Sequence, residues 1–318
     1  MSSAEKVAEA IRTMRENTAI IFHCDADGVC SAAQILRYFF SLCVAPKLVC
    51  GELEESTFSK AHPCENAIIL DLAADHHITW LKGFSRVVLI DHHLPQRDLN
   101  EFGFVHFNPR LKNRSVYISA SELCKEVCEL LGVANTEWIA RIGAVGDRSI
   151  EGTEREMKAV EYIDAVRAIE GEEKLVEVAK TLATCKNIDE FLSIRKYKEL
   201  AEKLNKEIEK WVRGFSPSRE ICFYEIDTPY SIISVVANKL FDMYPEKTII
   251  VYGIRGNCVK ISGRSRKYNL GEIFKKASEG IGKGGGHPVA AGARIELGKE
   301  SIFIEKLKKL LSGAEKCV

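Results

Sequence analysis

The chain carries no surplus of charge of either sign: across 318 residues, 45 Lys and Arg balance 45 Asp and Glu. Proteins that wrap long nucleic acids ordinarily show a basic excess, so phosphate contacts here must come from a local patch. No apolar run approaches the ~20 residues of a membrane span. The opening stretch MSSAEKVAEAIRTMREN is charged and helix-patterned, unlike a secretory signal, and the expectation is a cytoplasmic protein with no membrane partner. The eleven cysteines contain no C-x-x-C pair, and their odd number argues against a full disulfide framework. Cys124 and Cys128, on one face of a predicted helix, read as reduced, buried thiols rather than as half of a zinc site. Internal repeats and low-complexity tracts are also missing.

What is present suits two domains, because 318 residues exceed one ordinary core. In the first part, apolar runs at Thr18–His23, Lys47–Leu53, Ala67–Leu72 and Arg86–Ile90 alternate with helical stretches such as Val29–Phe40. Runs this rich in Ile, Val and Leu fit parallel strands buried on both faces, with the ligand site at their carboxyl ends. Residues 151–217 show no strand pattern and read as a helical connector, with one amphipathic helix over Arg195–Trp211 stopped by Gly214 and Pro217. Residues 218–318 return to mixed strands and helices. The fold class is therefore α/β: a parallel-sheet domain over 1–150, a helical connector, and a smaller α/β domain.

Four polar clusters close predicted core elements. His23-Cys24-Asp25-Ala26-Asp27-Gly28 follows the first run, and side chains at i, i+2 and i+4 of an extended end share a face, so one imidazole and two carboxylates can meet. Gly28 is expected to let the backbone turn into the next helix. Asp71 ends the third run, where an unpaired carboxylate is costly and a cation would offset it. Asp91-His92-His93 ends the fourth run, and Asp147 ends the apolar segment Ile142–Gly146. Each alone can be read as a helix cap; four together cannot easily be. A second D-H-H triplet, Asp75-His76-His77, has no strand to deliver it to the sheet edge, and its residues are expected to be ordinary neighbours. Near the other end, Gly282-Lys283-Gly284-Gly285-Gly286-His287 is expected to be a turn beside a helix start, with backbone amides for an anion. Ser262-Gly263-Arg264-Ser265-Arg266 offers guanidinium groups for a further phosphate.

H-x-D-x-D-G, a strand-terminal D, D-H-H and G-A-V-G-D, in this order, resemble the DHH phosphoesterases, and Gly284-Gly285-Gly286-His287 resembles the G-G-G-H signature of their associated C-terminal domain. The spelling of the first motif is closest to RecJ-like archaeal members. The resemblance implies two metal ions, with His23, Asp25 and Asp71 at one and Asp27, Asp71, His92 and Asp147 at the other. The imidazole and carboxylate donors favour Mn2+, with Mg2+ admissible. It further implies that His93 faces substrate, that Asp91 orients a histidine, and that Arg264, Ser265, Lys283, Gly284, Gly285, Gly286 and His287 bind substrate. The expected activity is an exonuclease acting on short single-stranded RNA or DNA. A small-nucleotide hydrolase, acting on a cyclic dinucleotide or 3′-phosphoadenosine phosphate, is the alternative. A non-catalytic replication partner is a third reading, and homodimerisation and replication or repair partners stay open.

Overall fold

The computed structural model describes residues 3–313, which divide into two compact units between Ala201 and Glu202. In the first unit the order is α1 (Ser3–Thr13), β1 (Thr18–Phe22), α2 (Ala26–Ser41), β2 (Lys47–Cys50), α3 (Glu55–Ala61), β3 (Asn66–Leu70), α4 (Ile78–Leu81), β4 (Arg86–Ile90) and β5 (Val105–Phe107). There follow α5 (Ala120–Leu130), α6 (Glu137–Gly146), α7 (Glu154–Glu170), α8 (Leu175–Thr184), α9 (Ile188–Leu192) and α10 (Arg195–Arg213), the last of which runs into the second unit.

The five strands form one parallel sheet in the order β2-β1-β3-β4-β5. Its central strands are apolar throughout because both faces are covered: every residue of β1, and Ala67–Leu70 of β3, is buried. One face packs Ala19, Ile21, Ile69 and Leu89 against Phe58, Leu81 and Phe84. The order reverses between β1 and β3, and at such a switch point the crevice beyond the strand ends is the natural ligand site. β5 is not legible as a strand in the sequence, since it has only three residues. Capping boxes start α5 (Ser119 with Glu122) and α7 (Thr153 with Glu156).

In the second unit, β6 (Ile221–Glu225), α11 (Ile233–Met243), β7 (Thr248–Arg255), β8 (Cys258–Arg264), α12 (Leu270–Ser278), β9 (Gly282–His287), β10 (Ala290–Glu296) and α13 (Glu300–Gly313) build a mixed sheet in the order β6-β7-β8-β10-β9. Its core brings Val259, Ile261 and Ile295 against Phe274, Phe303 and Leu307. The glycine-rich segment corrects the expectation of a turn beside a helix start. Residues Gly282–His287 are an edge strand paired antiparallel with β10. Glycines fit there because neighbours crowd them: a Cβ on Gly284 would sit 2.9 Å from Phe274 O, and one on Gly286 2.6 Å from Ala290 O.

The ten described cysteines are all free, and Cys124 and Cys128 are buried on α5. Among the described residues, no helix is long and apolar enough to cross a membrane.

Candidate metal centre and substrate-binding groups

The carboxyl ends of β1, β3 and β4 deliver His23, Asp71, Asp91 and His92 to one place beside the switch point. His23 Nδ1 lies 2.8 Å from Asp25 Oδ2 and 3.5 Å from Asp71 Oδ2. Asp71 turns its other oxygen to His92, with Oδ1 3.2 Å from Nε2, and His92 Nδ1 lies 3.7 Å from Asp147 Oδ2. Asp71 is thus shared by two histidines on opposite sides. It reaches this position with φ at +58°, a left-handed backbone that costs a non-glycine residue about 1–3 kcal/mol.

Donor atoms of His23, Asp25 and Asp71 all lie within 4.8 Å of one another, as do those of Asp27, His92 and Asp147, and those of Asp71, His92 and His93. Such groups could hold divalent cations. Two atoms argue that they fit: His92 Nδ1 and Asp147 Oδ2 are buried yet have no hydrogen-bond partner.

The first motif converges by a different route from the strand alternation expected. β1 ends at Phe22, Asp25 caps α2 by accepting from Gly28 N–H (3.0 Å), and Asp27 lies in the first turn of that helix. Asp27 is almost fully buried and accepts from two backbone amides at the start of α5, Ala120 (2.7 Å) and Ser121 (2.8 Å). Gly28 serves a close approach rather than a turn, since a Cβ there would sit 2.4 Å from His23 O. Gly143 on α6 likewise leaves room for Ser121 and for Asp27 Oδ1.

Charge is balanced tightly. Burial disfavours protonated His23, but Asp25, Asp71 and Glu52 outweigh it and hold its pKa far above the usual imidazole value. Burial opposes the charge on His92 as well, and Asp71 lifts it to about 9. Burial, then the Asp71 charge, pushes the Asp27 carboxyl well up. Asp91 accepts from His93 Nδ1 at 2.7 Å and raises its pKa, while about half of the His93 side chain stays exposed.

The second triplet is built into the scaffold. Asp75 is buried and accepts from the backbone amides of Gln96 (2.6 Å) and Arg97 (2.9 Å), and His77 stacks on Trp80 at 3.7 Å.

Several groups at the centre escape a reading of the sequence. Glu52 Oε2 faces His23 Nε2 at 3.3 Å, and its other oxygen takes Arg167 from α7 at 2.7 Å. Tyr117 donates to Asp147 Oδ1 at 3.0 Å and meets the His92 ring edge-on at 5.4 Å. Asn108 Nδ2 donates to His93 O at 2.9 Å, steadying the loop. None has a local signal: each is linked to the centre only through tertiary contacts.

In the second unit, Arg264 Nε donates to Asn238 Oδ1 of α11 (2.6 Å) and Nη1 to Ser262 Oγ (3.0 Å), which fixes the guanidinium on one face of the sheet. His287 and Arg264 both stand opposite Ala290, so they share that face across β9, β10 and β8, and His287 and Lys283 are exposed. Gly284, Gly285 and Gly286 lie between them on β9. Ser265 is fully buried, its hydroxyl taken up by Thr248 (2.8 Å) and the Lys267 amide (3.0 Å), so it acts as a strut between strands.

With the geometry described, the family relationship follows. The family model "DHH family, N-terminal domain" matches residues 17–146, and the "DHHA1 domain" model matches residues 220–317. The chain belongs to the DHH family, with a DHHA1 domain at its C-terminal side. No curated protein sequence matches it significantly. Among solved structures, RecJ from Thermus thermophilus in complex with Mn2+ has a TM-score of 0.76 at 15% identity, covering 100% of this chain and 56% of that one. This chain therefore spans about half the length of that RecJ. An exonuclease RecJ bound to manganese has a TM-score of 0.74 at 14% identity, covering 99% of this chain and 95% of that one. The pGpG-specific phosphodiesterase PggH from Vibrio cholerae has a TM-score of 0.53 at 15% identity, covering 93% and 99%. At these identities the likeness is one of fold, and the fold is that of the DHH phosphoesterases.

Proposed function

We propose that this chain is a phosphodiesterase that uses two divalent cations, Mn2+ ahead of Mg2+, and removes nucleotides from the end of short single-stranded RNA or DNA. The observation that carries the reading is Asp71, whose two carboxylate oxygens face His23 and His92. In this reading His23, Asp25 and Asp71 hold one cation, and Asp27, Asp71, His92 and Asp147 the other. Bound there, the cations would lower the pKa of a water and offset charge developing on the phosphoryl oxygens.

The protein's own groups would supply orientation and a proton. Asp91 accepts from Nδ1–H of His93 and favours the doubly protonated ring, whose half-exposed Nε2–H would donate to a phosphoryl oxygen or to the leaving group. Arg264, Lys283, His287 and those amides of Gly284, Gly285 and Gly286 that the pairing with β10 leaves free would bind the remainder of the substrate. Zero net charge supports a short strand of roughly two to five nucleotides, because few phosphates can be neutralised.

Likeness over most of both chains to PggH, which is named for the linear dinucleotide pGpG, supports the short end of that range. Hydrolysis of a small nucleotide such as a cyclic dinucleotide or phosphoadenosine phosphate is the second reading. The retained carboxylates and histidines weigh against a purely non-catalytic partner. A turnover panel with Mn2+ tests the proposal, comparing dinucleotides, longer single strands, cyclic dinucleotides and phosphoadenosine phosphate. Preference for short linear strands is expected. Turnover of the small nucleotides alone would select the second reading, and turnover of nothing would overturn both.

A further inference from the structure

The second unit holds a cavity of about 240 Å3 that the substrate groups above do not occupy. Three cationic side chains, Arg255, Lys260 and Arg294, line it together with the hydroxyls of Ser231, Ser234 and Ser262, and among the described residues no carboxylate does. Arg255 is held by its Nη1, which donates to Thr228 O and Ile254 O. Its Nε and Nη2 are buried without a hydrogen-bond partner. Two shielded donors of a half-buried guanidinium are costly unless an acceptor completes them. Beside two further cations, that acceptor is an anion. The first turn of α11, which has no side-chain cap, contributes Ile233 and Ser234 to the same wall.

The strand register says which anion. Lys260 stands opposite Arg294, and Arg294 opposite Lys283, giving a basic row across β8, β10 and β9. Arg264, Ala290 and His287 form a parallel row on the same face four residues along, about 13 Å away. Between the two rows lie Ser262, Gly292 and Gly285. A Cβ on Gly285 would meet nothing within 4 Å, and one on Gly292 only Ile261 O at 3.6 Å. A shallow floor thus connects one phosphate-binding row to a second, more than one phosphodiester step away.

We propose that Arg255, Lys260 and Arg294 form a second phosphate subsite, which holds a backbone phosphate of a strand whose nearer phosphate lies on Arg264 and His287. This rests on the phosphodiesterase reading above and sharpens it: the preferred substrate has to be longer than a dinucleotide to reach both rows.

The test compares the full chain with the Lys260→Ala/Arg294→Ala double variant, and with Lys260→Gln/Arg294→Gln as a milder pair. Turnover with Mn2+ is measured on a dinucleotide and a hexanucleotide, and binding of a fluorescent hexanucleotide and of AMP is followed by anisotropy and competition without added metal. The loss is expected to grow with length, from about twofold or less on the dinucleotide to about tenfold or more on the hexanucleotide, with the salt slope of hexanucleotide binding reduced by roughly 1.4 for two lost contacts. Equal loss on both substrates, or unchanged hexanucleotide binding, would overturn the subsite. Loss of AMP binding with hexanucleotide binding intact would also overturn it, showing that a free nucleotide is the occupant. If the wild type cleaves no oligonucleotide yet the variants lose hexanucleotide affinity, the subsite stands and the phosphodiesterase reading fails.

Discussion

Glu52 and Arg167, 115 residues apart in the chain, form an ion pair at 2.7 Å, and the free oxygen of Glu52 faces His23 Nε2 at 3.3 Å. The pair joins α7 to the centre and fixes which nitrogen of His23 faces Asp25 and Asp71.

Such outer partners orient a ligand without touching the ion. Glu52→Gln and Arg167→Ala are expected to weaken Mn2+ binding about tenfold or more. Titration followed by Mn2+ electron paramagnetic resonance reads this independently of turnover. Wild-type affinity in both variants would contradict the assignment.

The two D-H-H triplets should separate cleanly. His92→Ala is expected to lose at least about a hundredfold in turnover, the scale of losing an electrostatic group at the reacting centre, whereas His76→Ala keeps most activity. Asp75→Asn should instead lower stability by about 1–3 kcal/mol, because it weakens a buried acceptor of two backbone amides. Thermal melts beside steady-state rates distinguish the two kinds of loss.

Removal of divalent cations should abolish hydrolysis, with Mn2+ restoring it best. Full activity in excess chelator would exclude the metal centre as the seat of the reaction.

Arg264→Ala and His287→Ala should keep the wild-type metal stoichiometry, measured by elemental analysis, and lose kcat/KM. Both side chains belong to the second unit, whereas the residues assigned to the cations belong to the first. Loss of bound Mn2+ in either variant would contradict the division of roles.

Glu156 links stability to pH. Burial opposes its charge, but Arg141 at 2.5 Å and the Thr153 amide and hydroxyl hold its pKa below the usual carboxylate value. A depressed pKa stabilises the fold above the unfolded-state value, and that contribution is lost as pH falls through the folded-state value. Glu156→Gln is expected to cost about 1 kcal/mol or less at neutral pH, because glutamine can keep the capping box and the lost charge faces Arg141, which is 41% exposed and whose pairing is screened. The variant should also show a flatter fall in Tm between about pH 5 and pH 3. An acid limb as steep as that of the wild type would remove Glu156 from the account.

The sequence by itself determined the elements whose signal is local. Continuous apolar runs marked β1, β3 and β4 because strands buried on both faces exclude polar side chains. Polar residues beyond them named His23, Asp25, Asp27, Asp71, Asp91 and His92, and the end of the apolar segment Ile142–Gly146 named Asp147. Gly282–His287 reads as a turn because a strand without side chains has no periodic pattern, and only pairing with β10 makes it one. The tertiary structure alone decided how the named residues are used. Asp27 caps a helix 93 residues away, Asp71 adopts a left-handed backbone to face two histidines, and Arg167 reaches Glu52 from a region that the sequence marks only as a connector. The basic row of Lys283, Arg294 and Lys260 likewise exists only through strand register. A sequence pattern reports what a residue does for its own element, whereas a buried charge must find its partner wherever the fold brings one within a few ångströms.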